Sequence, residues 1–276
     1  MISQDEWFVT VCNSYEHPPV FLDGKKLPAF PSDAVQTRTT GQAGINTLKE
    51  AFIFYQDCVE NFNSLGAPIA NQHSLLDFGV GWGRIARFFM RELPLQRIHG
   101  LDVMQEFVDI CKETFESDNF SLTTPFPPTK IADAKYTHIV GYSVFSHLSE
   151  QACLSWMKEF HRLLAPGGVV ALTTRGRPFF DFCESLKNQG HIGYLAALST
   201  MFADFNAERL RYDNGLFVHS NKDGVVGGGA MTPDFYGESF IPQKYAATAY
   251  SEWFSLEKFV YDPARQSHPV MFFKKK

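Results

Sequence analysis

One stretch of sequence decides the fold of this chain: Leu75-Leu76-Asp77-Phe78-Gly79-Val80-Gly81-Trp82-Gly83-Arg84, followed by Ile85-Ala86-Arg87-Phe88-Phe89-Met90. The apolar run before Gly79 is too short for a helix and predicts a buried β-strand. After Gly83 the apolar residues recur at helical spacing, so the stretch predicts a strand, a glycine-rich turn and an amphipathic helix. Such a turn lets a ligand approach the backbone where a Cβ would collide. It also directs the positive end of the helix dipole at an anionic group.

The spacing of the glycines indicates the kind of ligand. The dinucleotide fingerprint is G-x-G-x-x-G, whereas this chain has Gly79, Gly81 and Gly83, with Arg84 in the position of the last fingerprint glycine. A G-x-G-x-G turn after a strand ending in Asp77 resembles the first motif of the class I S-adenosylmethionine-dependent methyltransferases. The resemblance implies that Asp77 and the three glycines bind the methionine end of S-adenosyl-L-methionine, whose product is S-adenosyl-L-homocysteine.

A second predicted strand, residues 97–103, carries an acid at its end, Asp102. A carboxylate there offers two oxygens that can accept both hydroxyls of a ribose. The alternative is a carboxylate that caps the following helix. The resemblance implies the ribose role, with Val103 beside it.

A third acid, Asp133, lies in the loop Ile131-Ala132-Asp133-Ala134. The resemblance implies that Asp133 and Ala134 meet the adenine of the cofactor. The alternative is an ordinary solvated loop acid.

The fourth strand, from Thr137 to Val144, runs into Phe145-Ser146-His147-Leu148, which also resembles the family. In open parallel sheets ligands bind at the carboxyl ends of the strands, which places Tyr142, Ser143 and His147 at the rim of a site. Tyr142 is a predicted cofactor contact. His147 is the predicted general base for a hydroxyl acceptor, because a histidine titrates near neutral pH. The alternative is a structural histidine at a helix start.

Further candidates surround this framework. The helical pattern over residues 41–62 predicts a helix packed on the main domain. Members of the family that the chain resembles place such a helix across the cofactor. The resemblance therefore implies that Arg38, Thr40 or Gly41 could contact the methionine carboxylate. Other candidate bases are His219, Asp213 and Tyr236.

The predicted fold is α/β, a doubly wound, mostly parallel seven-stranded sheet of the Rossmann-like methyltransferase type. A Leu-x-Pro-Gly-Gly turn at residues 164–168 precedes the fifth strand, and the last two strands form an antiparallel hairpin. An inserted cap lies between strands five and six. The predicted organisation is an irregular extension over 1–40 and a methyltransferase domain over 41–276. Within it lie the cofactor-binding core (about 74–176), the substrate-side insertion (about 177–252) and the hairpin (about 253–273).

Composition narrows the function classes. The 276 residues are 45% hydrophobic and carry a net charge of −5, which disfavours nucleic acid as a partner. Five cysteines without a C-x-x-C pair indicate buried thiols of a reducing compartment, so no metal site is predicted. Without a recognisable signal peptide or membrane span, the expected location is cytoplasmic. The sequence gives no indication of the oligomeric state.

The predicted activity is direct methyl displacement onto a small or medium-sized polar acceptor such as a sugar, a glycan precursor or another metabolite. The insertion supports this class because it is rich in aromatic and hydroxyl-binding side chains. The alternatives are an NAD(P)-dependent Rossmann oxidoreductase, against which Arg84 argues, a transferase that uses an altered cofactor, and a non-catalytic cofactor-binding module of the same fold.

Overall fold

The structure is a computed structural model, and it describes residues 2–22 and 25–276. The helices of these residues are α1 (Gln4–Glu16), α2 (Asp33–Thr40), α3 (Ile45–Ser64), α4 (Ala86–Phe89), α5 (Gln105–Phe115), α6 (Glu150–Leu163), α7 (Pro178–Ser185), α8 (Gly193–Thr200), α9 (Phe205–Asp213) and α10 (Gln243–Ala249). The strands are β1 (Phe21–Leu22), β2 (Lys25–Lys26), β3 (Leu75–Phe78), β4 (Ile98–Asp102), β5 (Phe120–Leu122), β6 (Tyr136–Gly141), β7 (Leu164–Thr173), β8 (Val218–Ser220), β9 (Glu238–Phe240), β10 (Phe254–Val260) and β11 (Val270–Lys275).

Seven strands form one sheet in the order β10-β11-β7-β6-β3-β4-β5. The pairs β3–β4, β3–β6 and β4–β5 are parallel, whereas β11 is antiparallel to both β7 and β10. This confirms the predicted mostly parallel sheet with a C-terminal antiparallel hairpin. The predicted insertion between the fifth and sixth strands is also confirmed, since α7–α10 and the pair β8–β9 lie between β7 and β10.

The chain divides into two compact units. The first comprises Met1–Thr123 with Tyr136–Val140, and the second comprises Thr124–Lys135 with Gly141–Lys276.

In the first unit β3 is buried along its whole length, as expected for a central parallel strand. Its register with β4 places Asp77 opposite Gly100. Because Gly100 lacks a side chain, the Phe120 ring and Val80 can pack at its Cα. A Cβ there would lie 2.6 Å from Phe120 Cδ1. The predicted helix over 41–62 is confirmed as α3, which buries one apolar face.

The prediction of an irregular extension over residues 1–40 is wrong at both of its ends. Residues 4–16 form α1, which begins with a capping box between Ser3 and Glu6, and residues 33–40 form α2. The prolines that suggested irregular structure lie between the two helices, at positions 18, 19, 28 and 31, and they interrupt neither one.

The helix after the glycine turn is shorter than predicted. Residues 81–85 remain in turn conformation, and α4 spans four residues. Gly81 and Gly83 have φ values of 52° and 81°, outside the right-handed helical region, so the helix cannot begin before them. A helix of this length contributes little dipole, and the predicted anion site at its N-terminus is not supported.

In the second unit the insertion has a core of its own. The Phe180 and Phe240 rings stack with centroids 3.8 Å apart, and Val218 and Leu198 are buried with them. This core joins α7, α8 and α9 to the two-stranded pair β8–β9. The pair places Glu238, at the start of β9, among buried residues.

Candidate functional site

The glycine turn of the first unit is held by the neighbouring strand. The backbone N–H groups of Gly79 and Val80 both donate to the Leu101 carbonyl, at 2.8 and 3.0 Å. Gly79, Gly81 and Gly83 all have positive φ. Since an L side chain is strained in this region, the turn requires glycine for its backbone shape.

Two of these glycines have different surroundings. A Cβ at Gly83 would lie 2.3 Å from Phe115 Cε2, so this glycine permits α5 to pack against the turn. A Cβ at Gly81 would meet nothing within 4 Å. Gly81 therefore presents open backbone on which a ligand can be placed, whereas the contacts of Gly83 are structural.

Asp102 connects the tip of β4 to the turn. Its Oδ2 accepts from the Gly81 N–H at 2.9 Å, and its Oδ1 accepts from the Met104 N–H at 2.9 Å. Burial raises the pKa of Asp102, while the N–H groups of Met104, Gly81 and Val103 oppose that shift. A carboxylate offers about four lone-pair sites, so acceptor capacity remains for a ligand.

Asp77, in β3, is 1% exposed. Its carboxyl group accepts from the Ala86 N–H, and Oδ2 is buried without a hydrogen-bond partner. Burial raises its pKa to about 7, and the Asp102 charge adds to this shift. An unpaired buried carboxyl oxygen is costly, and a cationic ligand group would satisfy it.

The residues predicted to touch the cofactor from the leading helices have partners within the first unit. Arg38 pairs with Glu106 of α5 at 2.5 Å, and the Thr40 hydroxyl accepts from the Thr47 hydroxyl at 3.0 Å. Thr47 also accepts from Arg84 Nη1 at 2.8 Å. These contacts attach α2 and α3 to α5 and to the glycine turn.

The predicted adenine contacts lie in the second unit. Asp133 is 77% exposed, and its Oδ1 lies 2.5 Å from Arg162 Nη1. Ala134 has a φ of 53°, and its N–H donates to the Arg162 carbonyl. Arg162 therefore holds this loop in place.

The predicted rim residues of the second unit follow β6. Tyr142 is buried, with its ring centroid 5.5 Å from that of His268. Ser143 has a φ of 58°, which is unusual for serine, and its N–H donates to Thr173 Oγ1 at 2.6 Å. Ser143 Oγ lies 3.5 Å from His147 Nε2. Strained backbone of this kind concentrates at functional sites.

His147 is held from several sides. Its Nδ1 lies 2.9 Å from the Gly237 carbonyl oxygen and 3.1 Å from Glu238 Oε1. Since a carbonyl oxygen only accepts, Nδ1 carries a hydrogen and Nε2 of the neutral ring has a free electron pair. The Tyr236 ring stacks on the imidazole, with centroids 4.9 Å apart and an interplanar angle of 3°.

The sequence analysis did not identify Glu238 or Arg175 as site residues. Glu238 is fully buried beside His147, and Arg175 Nε donates to its Oε2 at 2.9 Å. The other predicted bases, His219 and Asp213, form hydrogen bonds or ion pairs with residues other than His147. His219 Nδ1 is 2.7 Å from Ser239 Oγ, and Asp213 is paired with Arg177 at 2.9 Å.

Residues 2–22 and 25–276 lack two kinds of feature. No helix in these ranges is long and apolar enough to cross a membrane. No group of three or more histidine, cysteine, aspartate or glutamate side chains there is arranged to hold a metal ion.

Part of the chain is similar in sequence to known methyltransferases. Residues 76–170 match a family model described as a methyltransferase domain. The chain is similar to malonyl-[acyl-carrier protein] O-methyltransferase 1 of Ilyobacter polytropus, with 26% identity over 117 residues. That alignment covers 42% of this chain and 43% of the relative, so the chain matches less than half of the relative's length.

Solved structures share the fold. An S-adenosylmethionine-dependent methyltransferase from Aquifex aeolicus superposes with a TM-score of 0.52, at 11% identity over 89% of this chain and 100% of that one. A second S-adenosylmethionine-dependent methyltransferase, from Mesorhizobium loti, superposes with a TM-score of 0.52. Its sequence is 12% identical, and the match covers 79% of this chain and 99% of that one. Residues 76–170 therefore match a methyltransferase domain, and the strand order and the glycine turn belong to a sheet that shares the fold of these S-adenosylmethionine-dependent methyltransferases.

Proposed function

We propose that this protein transfers a methyl group from S-adenosyl-L-methionine to a small or medium-sized polar acceptor that carries a hydroxyl group. The observation that carries the proposal is the turn at Gly79–Gly83 with the Asp102 carboxylate bonded to its open glycine, Gly81. The match of residues 76–170 to a methyltransferase-domain model supports it.

The residues of the first unit fit the chemistry of this cofactor. Its amino-acid end carries an ammonium group, which matches the unpartnered Oδ2 of Asp77. Its ribose hydroxyls match the remaining acceptor capacity of Asp102. The backbone of Gly79 and Gly81 would accept the methionine part without steric conflict at Gly81.

Val103, Asp133, Ala134 and Tyr142 complete the proposed set of cofactor residues. Val103 follows Asp102 at the tip of β4, and the other three are assigned to the adenine side by resemblance to the family. Asp133 is exposed enough to exchange its Arg162 partner for a ligand. Gly83 belongs to the set through the backbone shape that it gives the turn.

When bound, S-adenosyl-L-methionine would supply a methyl group on a positively charged sulfur, with a neutral thioether as the leaving group. The protein must then bind the acceptor in line, exclude water and remove the proton of its hydroxyl group. Positioning of this kind supplies much of the rate enhancement without a covalent intermediate. We assign proton removal to His147, because its Nε2 has a free electron pair while Nδ1–H is held by Gly237 and Glu238.

The hydroxyl acceptor is proposed from the second unit. A neutral imidazole suits an oxygen acceptor, whose proton must be taken up as the carbon–oxygen bond forms. The relative from Ilyobacter polytropus is by name an O-methyltransferase, which supports oxygen, rather than nitrogen or sulfur, as the accepting atom. The polar and aromatic side chains around His147, including Tyr236 and Ser143, suit a small polar molecule.

Calorimetric titration with S-adenosyl-L-homocysteine tests the cofactor assignment. We expect saturable binding and a raised melting temperature, and no such stabilisation by NADH. Because an ammonium group requires ionised Asp77, binding at pH 6 should also release a proton, seen as a dependence of the binding enthalpy on the buffer's ionisation enthalpy. Stabilisation by NADH alone would instead support an oxidoreductase. Cofactor binding without methyl transfer to any hydroxyl-bearing acceptor would support a non-catalytic module.

A further inference from the structure

The second unit contains a buried carboxylate whose partners come from three separate segments. Glu238 is 0% exposed. The Tyr194 hydroxyl of α8 donates to its Oε1, Arg175 Nε donates to its Oε2 at 2.9 Å, and His147 Nδ1 lies 3.1 Å from its Oε1. Burial raises the pKa of a carboxyl group, but here the Arg175 guanidinium and the His147 ring outweigh that effect and hold the pKa of Glu238 at about 2.

The two carboxylate oxygens have different partners. Arg175 occupies Oε2 and is itself fixed, because its Nη1 lies 2.8 Å from His268 Nε2 and its guanidinium lies 4.0 Å above the Phe179 ring centre. Oε1 is therefore left to His147 and the uncharged Tyr194 hydroxyl. The ion pair between Glu238 and Arg175 therefore leaves the contact between Glu238 Oε1 and His147 Nδ1 in place.

The geometry also fixes which nitrogen of His147 faces Glu238. Nδ1 points to Gly237 and Glu238, and the stacked Tyr236 ring restricts rotation about the side chain. Nε2 therefore lies on the opposite edge of the ring, on the side of Ser143 Oγ.

The other groups around this pair change its charge little. Burial lowers the pKa of His219 to about 4, so this ring is neutral near pH 7. The raised pKa of Tyr194, which burial and the Glu238 charge cause, keeps that hydroxyl protonated. Tyr236 and Ser143 contact the ring as neutral groups. Arg175 contacts Glu238 on its other oxygen, so Glu238 is the charged group in direct contact with His147.

We propose that Glu238 is the positioning residue of His147: its ionised carboxylate holds Nδ1–H and stabilises the imidazolium that forms when Nε2 takes a proton. The proposal rests on the proposed role of His147 in methyl transfer and adds the group that supports it. In the step, the proton of the acceptor hydroxyl moves to Nε2, Nδ1 keeps its hydrogen, and Glu238 stays ionised. A buried carboxylate supports an imidazole base in this way in other enzymes.

The test is Glu238→Gln, which keeps the shape and removes the charge. The readout is the ratio of protonated to neutral His147 at one fixed pH near 6, measured from the ¹⁵N resonances of its ring in the full-length protein without cofactor or acceptor. We expect Glu238→Gln to lower this ratio at least tenfold, which corresponds to about 1.4 kcal/mol. Glu257→Gln, which removes an exposed charge on β10, should leave the ratio within twofold of the parent.

An unchanged ratio in folded Glu238→Gln overturns the proposal. If that variant does not fold, Tyr194→Phe decides, because it removes the neutral donor that shares Oε1 with His147. The ratio should then rise at least twofold, and a ratio that stays constant or falls contradicts the proposal. Neither measurement needs cofactor or acceptor. An absence of methyl transfer would therefore not change the measured ratio, and an unchanged ratio would not argue against methyl transfer.

Discussion

The carboxylate of Asp102 accepts a hydrogen bond from the backbone N–H of Gly81, with 2.9 Å between Asp102 Oδ2 and the nitrogen. The tip of one strand thereby fixes the turn that follows its neighbour. The same carboxylate accepts from Met104, at the start of α5. Asp102 thus has a structural task, and any ligand that it binds must share its oxygens with the backbone.

Asp102→Asn should weaken binding of S-adenosyl-L-homocysteine by about 1–3 kcal/mol, because an amide nitrogen cannot accept from a hydroxyl or from the backbone. Calorimetric titration measures this loss. Asp109→Asn on α5, where the exposed carboxylate accepts from Gln105, is the matched control and should bind like the parent. Parent-like affinity in Asp102→Asn would refute the ribose assignment.

Asp77 should make stability depend on pH. Its pKa is about 7 in the folded protein, against 3.8 as the ordinary value, so between these pH values the folded state holds a proton that the unfolded state has released. The free energy of unfolding should therefore fall by about 3 kcal/mol as the pH rises from 4 to 7. Asp77→Asn removes this contribution. Urea unfolding at a series of pH values should therefore show that the unfolding free energy of the variant increases relative to that of the parent as the pH rises. Parallel curves would contradict the assignment.

Gly81→Ala and Gly83→Ala form a matched pair. At Gly83 the new methyl group would overlap the Phe115 ring in addition to the strain at φ 81°, and we expect a loss of about 2–4 kcal/mol in unfolding free energy. At Gly81 the strain alone should cost about 1 kcal/mol, and the methyl group would stand on the open side of the turn. Cofactor affinity should therefore fall more in Gly81→Ala than in Gly83→Ala, although Gly81→Ala is the more stable of the two. Equal affinity in Gly81→Ala and the parent would show that the ligand does not approach this backbone.

His147→Gln should lower the rate of methyl transfer by about 10²–10⁴ with little change in cofactor affinity, since the base acts on the acceptor. The rate is measured as release of S-adenosyl-L-homocysteine with hydroxyl-bearing acceptors. The control is His191→Gln, because His191 is partly exposed and its Nε2 contacts Gln189 Oε1. A parent-like rate in His147→Gln would leave His147 with a structural role.

The sheet could be predicted because each strand is a short apolar run between strong turn signals. Such runs include residues 75–78 before Gly79 and residues 169–173 after Gly167 and Gly168. The position of Asp102 at a strand tip followed from the same alternation of strands and helices. Local sequence was sufficient here, because each signal lies within a few residues of the structure it produces.

The contacts of the histidine site could not be predicted in this way. Glu238 meets His147 although 91 positions separate them, and Arg175 reaches the same carboxylate from the end of β7. Isolated bridges from Leu148 to Tyr236 and from Arg175 to Phe240 bring these side chains together. The short length of α4 has a local cause that could have been seen, since two glycines with positive φ delay the helix. The capping box at Ser3 and Glu6 was likewise a readable signal for α1.

The indole of Trp7 donates from Nε1 to the Phe88 carbonyl at 2.9 Å, across 81 positions of the chain. Phe88 lies in α4, and its carbonyl also accepts from the Arg91 N–H at 3.3 Å. Arg91 adds a second tie of this kind, from its Nε to the Ile2 carbonyl. Residues 2–16 therefore complete the interior around α4, the helix that follows the glycine turn. Versions of the protein shortened to begin at α3 would lose the Trp7 donor and expose the Phe88 carbonyl to water beside the helix that follows that turn.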